Sequence, residues 1–405
     1  MPPLLFLTQR IPYPPTKGEK IRPYHILQHL RRHFDVHLGT LVDDPADQQH
    51  IPAVQAMCAG SHFATLDRRL AKATCMTGLL TGEPLSVTFF RDRGLARWVR
   101  GVMDGVRPVA VYVFSSNMAP YVLGQGKPGR TCVVDLTDVD SEKWRAYAET
   151  AGVPMRWVYH REWRRVAALE ARILRECDWS TFVSDEEAAL FTRLNPGHDG
   201  RVRAISNGVD ADYFDPALPT DAPYPMDRPT FVFTGTMDYP PNVDAVAWFA
   251  EAVLPLVRQG VPDAAFFIVG ASPAPRVQAL SALPGVSVTG RVPDVRPYLA
   301  HAAAAVAPMR IARGIQNKVL EAMAMARPVV VTADALEGIA ARPGQEVLLA
   351  ADAGAFATAC LATLTPAGAA LGPAARDRVL QDYSWAGRLR GFDPLFAAAL
   401  AQAQT

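Results

Sequence analysis

The chain has 405 residues, 49% of them hydrophobic and 20% charged, with a formal net charge of +1. That length exceeds one comfortable core and that composition excludes a disordered chain, so two folded domains of ordinary size are expected. Five scattered cysteines without a C-x-x-C spacing give neither a zinc site nor a disulfide framework, and no apolar run nears the roughly 20 residues of a bilayer span.

Met1–Arg10 lacks the basic start of a signal peptide and reads as a first strand. Apolar strand-like runs follow at Leu4–Leu7, Val36–Leu41, Val109–Phe114, Cys132–Leu136 and Ser180–Val183, with helical stretches at Pro23–His33, Leu95–Val106 and Trp157–Cys177. Short apolar strands alternating with helices indicate a parallel sheet covered on both faces. Asn207–Pro229, rich in proline and turn residues, reads as an interdomain linker. The pattern then restarts with strands at Thr230–Phe233, Ala265–Val269, Val286–Thr289, Ala303–Ala307, Val329–Val331 and Val347–Leu349. Helices at Val243–Val257, Val295–His301 and Lys318–Ala326 separate them, and an amphipathic helix from about Trp385 to Ala403 closes the chain. The expected organisation is α/β: a Rossmann-like domain over 1–205, a linker over 206–229, a second such domain over 230–383, and a helix over 384–405 packing back on the first. Charge is split, with a basic excess in the first half and an acidic excess in the second. Such a split points the first half toward an anionic partner rather than nucleic acid.

The strongest local signal is Ala307–Thr332, APMRIARGIQNKVLEAMAMARPVVVT. A strand ends at Pro308, a glycine follows at Gly314, and a helix begins. Ligands of open parallel sheets bind beyond the carboxyl ends of strands, where a helix N-terminus offers N–H groups to phosphate. Lys318 stands in the first turn, where a cation is locally unfavourable without an anion. The chain holds six lysines, and Lys318 is the only one after Lys143. A lone lysine in an arginine-using half suggests a compact point charge for phosphate; a solvated Lys318–Glu321 pair is the alternative. Glu321, one turn on, is placed to accept hydrogen bonds from ribose hydroxyls. Lys17-Gly18-Glu19 follows the first strand, where a glycine lets backbone approach a diphosphate.

The Ala307–Thr332 segment resembles the donor-binding motif of family-4 retaining glycosyltransferases of GT-B fold, whose helix carries LEAMA as Leu320–Ala324 does here. SNGVDADYF (Ser206–Phe214), FTGTMDYPPNVDAVAWF (Phe233–Phe249), GRVPDVRPYLAHAAAAVAP (Gly290–Pro308) and PYPPTKGEKIRPYHILQHL (Pro12–Leu30) fit the same family in order. With VDLTDVDSEKW (Val134–Trp144), they are similar to the sugar transferases of exosortase-associated exopolysaccharide loci. The resemblance implies two Rossmann-like domains facing across a cleft, with the C-terminal helix crossing back to the first. It also implies a UDP- or GDP-sugar donor bound by Gly18, Lys17, Gly235, Thr236, Arg291, Val292, Gly314, Ile315, Gln316, Asn317, Lys318 and Glu321. A saccharide or lipid-linked saccharide would be the acceptor, and transfer would proceed with retention, without a cofactor and without a required metal.

Three departures accompany it. Arg313 stands where many relatives carry the first of two glutamates, which bears on the donor sugar. The Arg and Lys that often grip the diphosphate are missing from Gly235–Asp238, shifting that task to Lys318, Arg291 and backbone donors. Thr137-Asp138-Val139-Asp140 replaces a usual histidine. Asp138 and Asp140 either line the site and contact donor sugar or acceptor hydroxyl, cap the helix Ser141–Tyr147, or form a metal-binding D-x-D. Residues 155–177, with six arginines and three aromatics, read either as an ordinary amphipathic helix or as a peripheral contact of a cytoplasmic protein with the inner membrane surface. The rivals to a transferase are a nucleotide-sugar epimerase of the same fold and a non-catalytic nucleotide-sugar-binding protein.

Overall fold

The computed structural model describes residues 1–15, 18–124, 129–197, 199–311 and 315–402. By internal packing the chain divides into one unit formed by Met1–Asn207 with Leu389–Thr405, and a second formed by Gly208–Arg388.

The first unit is built on β1 (Pro3–Thr8), β2 (Asp35–Val42), β3 (Gly60–Thr65), β4 (Ala110–Phe114), β5 (Thr131–Thr137), β6 (Trp179–Phe182) and β7 (Val202–Ala204). They form a parallel sheet in the order β3-β2-β1-β4-β5-β6-β7. The second unit has β8 (Thr230–Thr234), β9 (Ala265–Val269), β10 (Val286–Gly290), β11 (Ala304–Ala307), β12 (Val329–Val331) and β13 (Leu348–Leu349). Its parallel order is β10-β9-β8-β11-β12-β13. The central strands are mostly apolar because helices cover both faces: every residue of β4, β8 and β11 is buried, the two threonines that bound β8 included. Phe231, Phe233, Phe249, Phe266 and Phe356 fill the second unit's core.

Each sheet reverses direction once, between β1 and β4 in the first unit and between β8 and β11 in the second. Such a switch point leaves a crevice beyond the carboxyl ends of the two strands.

Three expectations are corrected. The passage read as a linker belongs to the second unit from Gly208 onward, with Val209, Phe214 and Tyr224 buried in its core; its prolines fall in turns between these anchors. The C-terminal segment is two helices, Trp385–Leu389 and Asp393–Gln402, broken by a 3-10 turn at Arg390–Phe392. Its last part packs within the first unit: Phe392 lies 5.9 Å from the Tyr112 ring and from the Arg22 guanidinium, Phe396 meets Phe34, and Asp393 pairs with His29 at 2.7 Å. Finally, β3 and β7 add a strand to each edge of the first sheet beyond those expected.

Candidate functional site

In the second unit, the switch point is filled from two directions. After β8, Gly235–Tyr239 turns into the helix Pro240–Trp248; after β11, the chain leads to the helix Asn317–Ala324. Lys318, second in that helix, reaches back toward β8. Its ammonium donates to Asn242 Oδ1 at 2.8 Å and to Gln316 Oε1 at 3.4 Å, approaches Met309 Sδ at 3.9 Å, and lies 4.9 Å from the centre of the Phe233 ring. Asn242 is buried and fixed by its own Nδ2, which donates to the Thr236 carbonyl at 2.9 Å. A Cβ on Gly235 would meet that Nδ2 at 2.7 Å, so glycine is what lets Asn242 fill the turn.

Among the described residues, every hydrogen-bond acceptor around the ammonium is neutral. Burial pulls the Lys318 pKa down to about 8, opposed by the Glu321 charge; burial pushes Glu321 up to about 6, opposed by Lys318. Among the described residues no side chain caps the helix Asn317–Ala324; the Val319 N–H donates to the Gln316 carbonyl at 3.0 Å, which leaves the Asn317 and Lys318 N–H groups of the first turn for a ligand. A desolvated ammonium with neutral partners and uncapped amides is a site short of an anion, and a diphosphate matches both.

Of the residues expected to hold a donor, Gly235, Thr236, Gln316 and Lys318 are brought together by these contacts. Asn317 opens the helix with its side chain exposed, Ile315 is half-buried against the core, and Glu321 lies one turn below Lys318. Arg291 and Val292 follow β10; Arg291 is exposed and has no ion pair among the described residues, and Val292 packs on the core. Gly18 is the first residue of the helix Gly18–Leu30. Lys17, Arg313 and Gly314 lie outside the described residues. The sequence reading missed Asn242 and the Asp244–Arg310 pair. Arg310, three residues past β11, donates through Nε to Asp244 Oδ2 at 3.0 Å and lies over the Trp248 ring. Both contacts tie the stretch after β11 to the helix Pro240–Trp248, and the only signal for them was the run PPNVDAVAW.

In the first unit, the residue after β4 and the last residue of β5 are both non-glycine residues at positive φ, Ser115 at +77° and Thr137 at +67°. Adjacent strands ending in strained residues are a feature of functional sites. Ser116 Oγ donates to Asp140 Oδ2 at 3.0 Å, and the Lys143 ammonium donates to Asp138 Oδ2 at 2.7 Å and Asp140 Oδ1 at 3.4 Å. Burial raises the Asp140 pKa, opposed by Lys143. Behind it Glu170 accepts from Ser141 N at 3.0 Å and Ser141 Oγ at 2.6 Å, and burial pushes it up to about 7. Neither aspartate caps the helix Asp140–Thr150: Val139 holds the cap position without a side-chain bond. The two aspartates of the D-x-D share an ammonium, and no group of three His, Cys, Asp or Glu side chains among the described residues is placed to hold a metal.

Residues 228–365, most of the second unit, match the family described as glycosyl transferases group 1. No curated protein matches the sequence. Among solved structures, the chain is similar to sucrose-phosphate synthase from Thermosynechococcus elongatus (17% identity, 99% of this chain and 100% of that one, TM-score 0.60). It is also similar to a glycosyltransferase from Rickettsia africae (12% identity, 98% of each chain, TM-score 0.59). A third neighbour is Anabaena HepE in complex with UDP (14% identity, 98% of this chain and 100% of that one, TM-score 0.58). These likenesses give the chain the fold of GT-B glycosyltransferases, two Rossmann-like units with parallel sheets.

Proposed function

We propose that this chain is a retaining glycosyltransferase of the cytoplasm, moving a sugar from a UDP- or GDP-sugar to a saccharide or lipid-linked saccharide during bacterial exopolysaccharide assembly. The observation that carries the reading is Lys318: a half-buried ammonium on neutral acceptors, at the switch point of the unit whose residues 228–365 match group 1 glycosyl transferases. HepE, a neighbour in fold, has been solved with UDP and with UDP-glucose.

In this reading Lys318 and the first-turn amides near Gln316 and Asn317 take the charge that develops on the departing diphosphate. Ile315 and Val292 border the base, Glu321 accepts from ribose, and Arg291 adds a second cation. Asp140, held by Ser116 and Lys143, orients an acceptor hydroxyl together with Asp138. The departing phosphate takes the acceptor's proton, so no side chain serves as nucleophile and no metal is called for.

Thermal unfolding with UDP, GDP and dTDP tests the donor, because a ligand binding only the native state raises Tm. One of the three should stabilise the wild type and not Lys318→Ala. Stabilisation by none of them overturns the proposal.

A further inference from the structure

The helices Asp140–Thr150 and Met155–Glu176 pack along one another, joined by the turn at 151–154. The root of this pair holds Asp140, Ser141 and Glu170; its tip is different. There Val153 is 89% exposed, Trp157 64%, Tyr147 54% and Met155 44%. Trp144, Tyr147 and Tyr159 brace the tip, with ring centres 5.7 to 6.0 Å apart. Beside it runs a groove of about 670 Å³ lined by Arg156, Trp157, His160, Arg164 and Arg165 among others.

The arginines divide into two kinds. Arg161 is spent on structure, donating to the Gly78 and Glu83 carbonyls and to the buried Glu162. Arg156, Arg164 and Arg165 have no acidic partner among the described residues. Glu149 is the one exposed carboxylate between 147 and 165. Arg161 ties the tip to the stretch Gly78–Glu83, which follows the short helix Arg68–Cys75; there Leu70 in the helix and Met76 just after it are again exposed large apolar side chains, with Arg69 and Lys72 exposed on the same helix. The C-terminal half of the long helix is otherwise engaged: Val166, Leu169, Ile173 and Leu174 are buried, and Arg172 pairs with Glu176.

We infer that this tip docks on an anionic lipid bilayer, with Val153, Met155 and Trp157 entering the interface and Arg156, Arg164 and Arg165 on the headgroups. Large apolar side chains on a turn, ringed by unpaired guanidinium groups, match a negatively charged leaflet over an apolar interior. A second copy of the chain fits poorly, because a two-fold contact would set these guanidinium groups against themselves. The docking surface is therefore the tip at 147–165 and not the whole stretch to 177. At 1.5 Å per residue, the 11-residue helix Asp140–Thr150 holds Asp140 about 16 Å from the tip. The inference does not depend on the reaction proposed above.

The test is co-sedimentation of the full chain with vesicles of phosphatidylcholine alone or with one-third phosphatidylglycerol. The wild type should bind the anionic vesicles and leave the neutral ones. Each arginine on such a surface contributes about fivefold, so Arg156→Ala/Arg164→Ala/Arg165→Ala should bind about 100-fold more weakly. Val153→Ser/Trp157→Ser should also detach, while both variants keep the wild-type Tm and its nucleotide response. Equal binding to the two vesicle types, undiminished binding by the triple variant, or self-association of the wild type that Val153→Ser/Trp157→Ser abolishes would each overturn the inference.

Discussion

Lys318 should make nucleotide binding depend on pH in a predictable direction. Its free-state pKa is about 8, and a bound diphosphate would raise it, so binding takes up a proton wherever the free lysine is neutral. Affinity is therefore full below pH 8 and lost as pH rises through it. With about nine-tenths of the lysine charged at pH 7 and about one-tenth at pH 9, affinity for the stabilising nucleotide should fall about tenfold between them. Lys318→Met removes a charge-assisted hydrogen bond worth about 1.5–3 kcal/mol and should weaken binding about 10- to 100-fold at pH 7, with a flat profile to pH 9. The same substitution should stabilise the empty protein. A lysine titrating near 8 in the fold and near 10.5 unfolded costs on the order of 3 kcal/mol at pH 7, part of which is offset by its bonds to Asn242 and Gln316. Isothermal titration in two buffers of different ionisation enthalpy and urea unfolding measure the two effects. A Lys318→Met protein that binds as well as the wild type, or keeps the same loss of affinity up to pH 9, refutes the reasoning.

Asn242→Asp should keep the tether but neutralise the ammonium, lowering affinity at pH 7 and moving the pH-dependent loss above 8; titration across that range checks it. Gly270→Ala should cost at least about 3 kcal/mol in urea unfolding, since at φ +154° its Cβ would meet the Gly235 carbonyl oxygen at 1.6 Å. Glu170→Gln should stabilise the protein at pH 8 by on the order of 2–3 kcal/mol and leave it unchanged near pH 4. Glu170 is raised in the fold, so the stability of the wild type is full below about 4.5 and lost as pH rises through 7. Melting curves at the two pH values separate these cases.

The central strands of both sheets are readable from sequence because burial on both faces writes them as apolar runs. The edges are not. β3 is GSHFAT, with glycine and polar residues at an edge where partial exposure permits them, and β7 is three residues long. Turn chemistry misled at 208–229, where proline and aspartate are frequent but Val209, Phe214 and Tyr224 decide the packing. Lys318 stood out because lysine is rare in this chain. Asn242 did not: an asparagine in the first turn after two prolines looks like any helix start, and its tie to Lys318 spans 76 positions. The arginines at 156–175 could be counted in the sequence, but which were already bonded to carbonyls and carboxylates depends on the fold.

The way the chain passes between its units also sets an order of assembly. Gly208 lies so close to Trp385 that an added Cβ would be 2.4 Å from its nitrogen, and Val209 forms a bridge with Ser384. The second unit thus begins and ends at one point, as an insertion whose ends are already joined. On the ribosome it has all its strands and both its ends before the first unit receives its last piece. Until residues 389–402 emerge, the surface around Phe34, Tyr112 and Arg22 has nothing over it. The half made first is the half finished last, and truncation after Arg388 should leave a folded second unit attached to an uncovered first one.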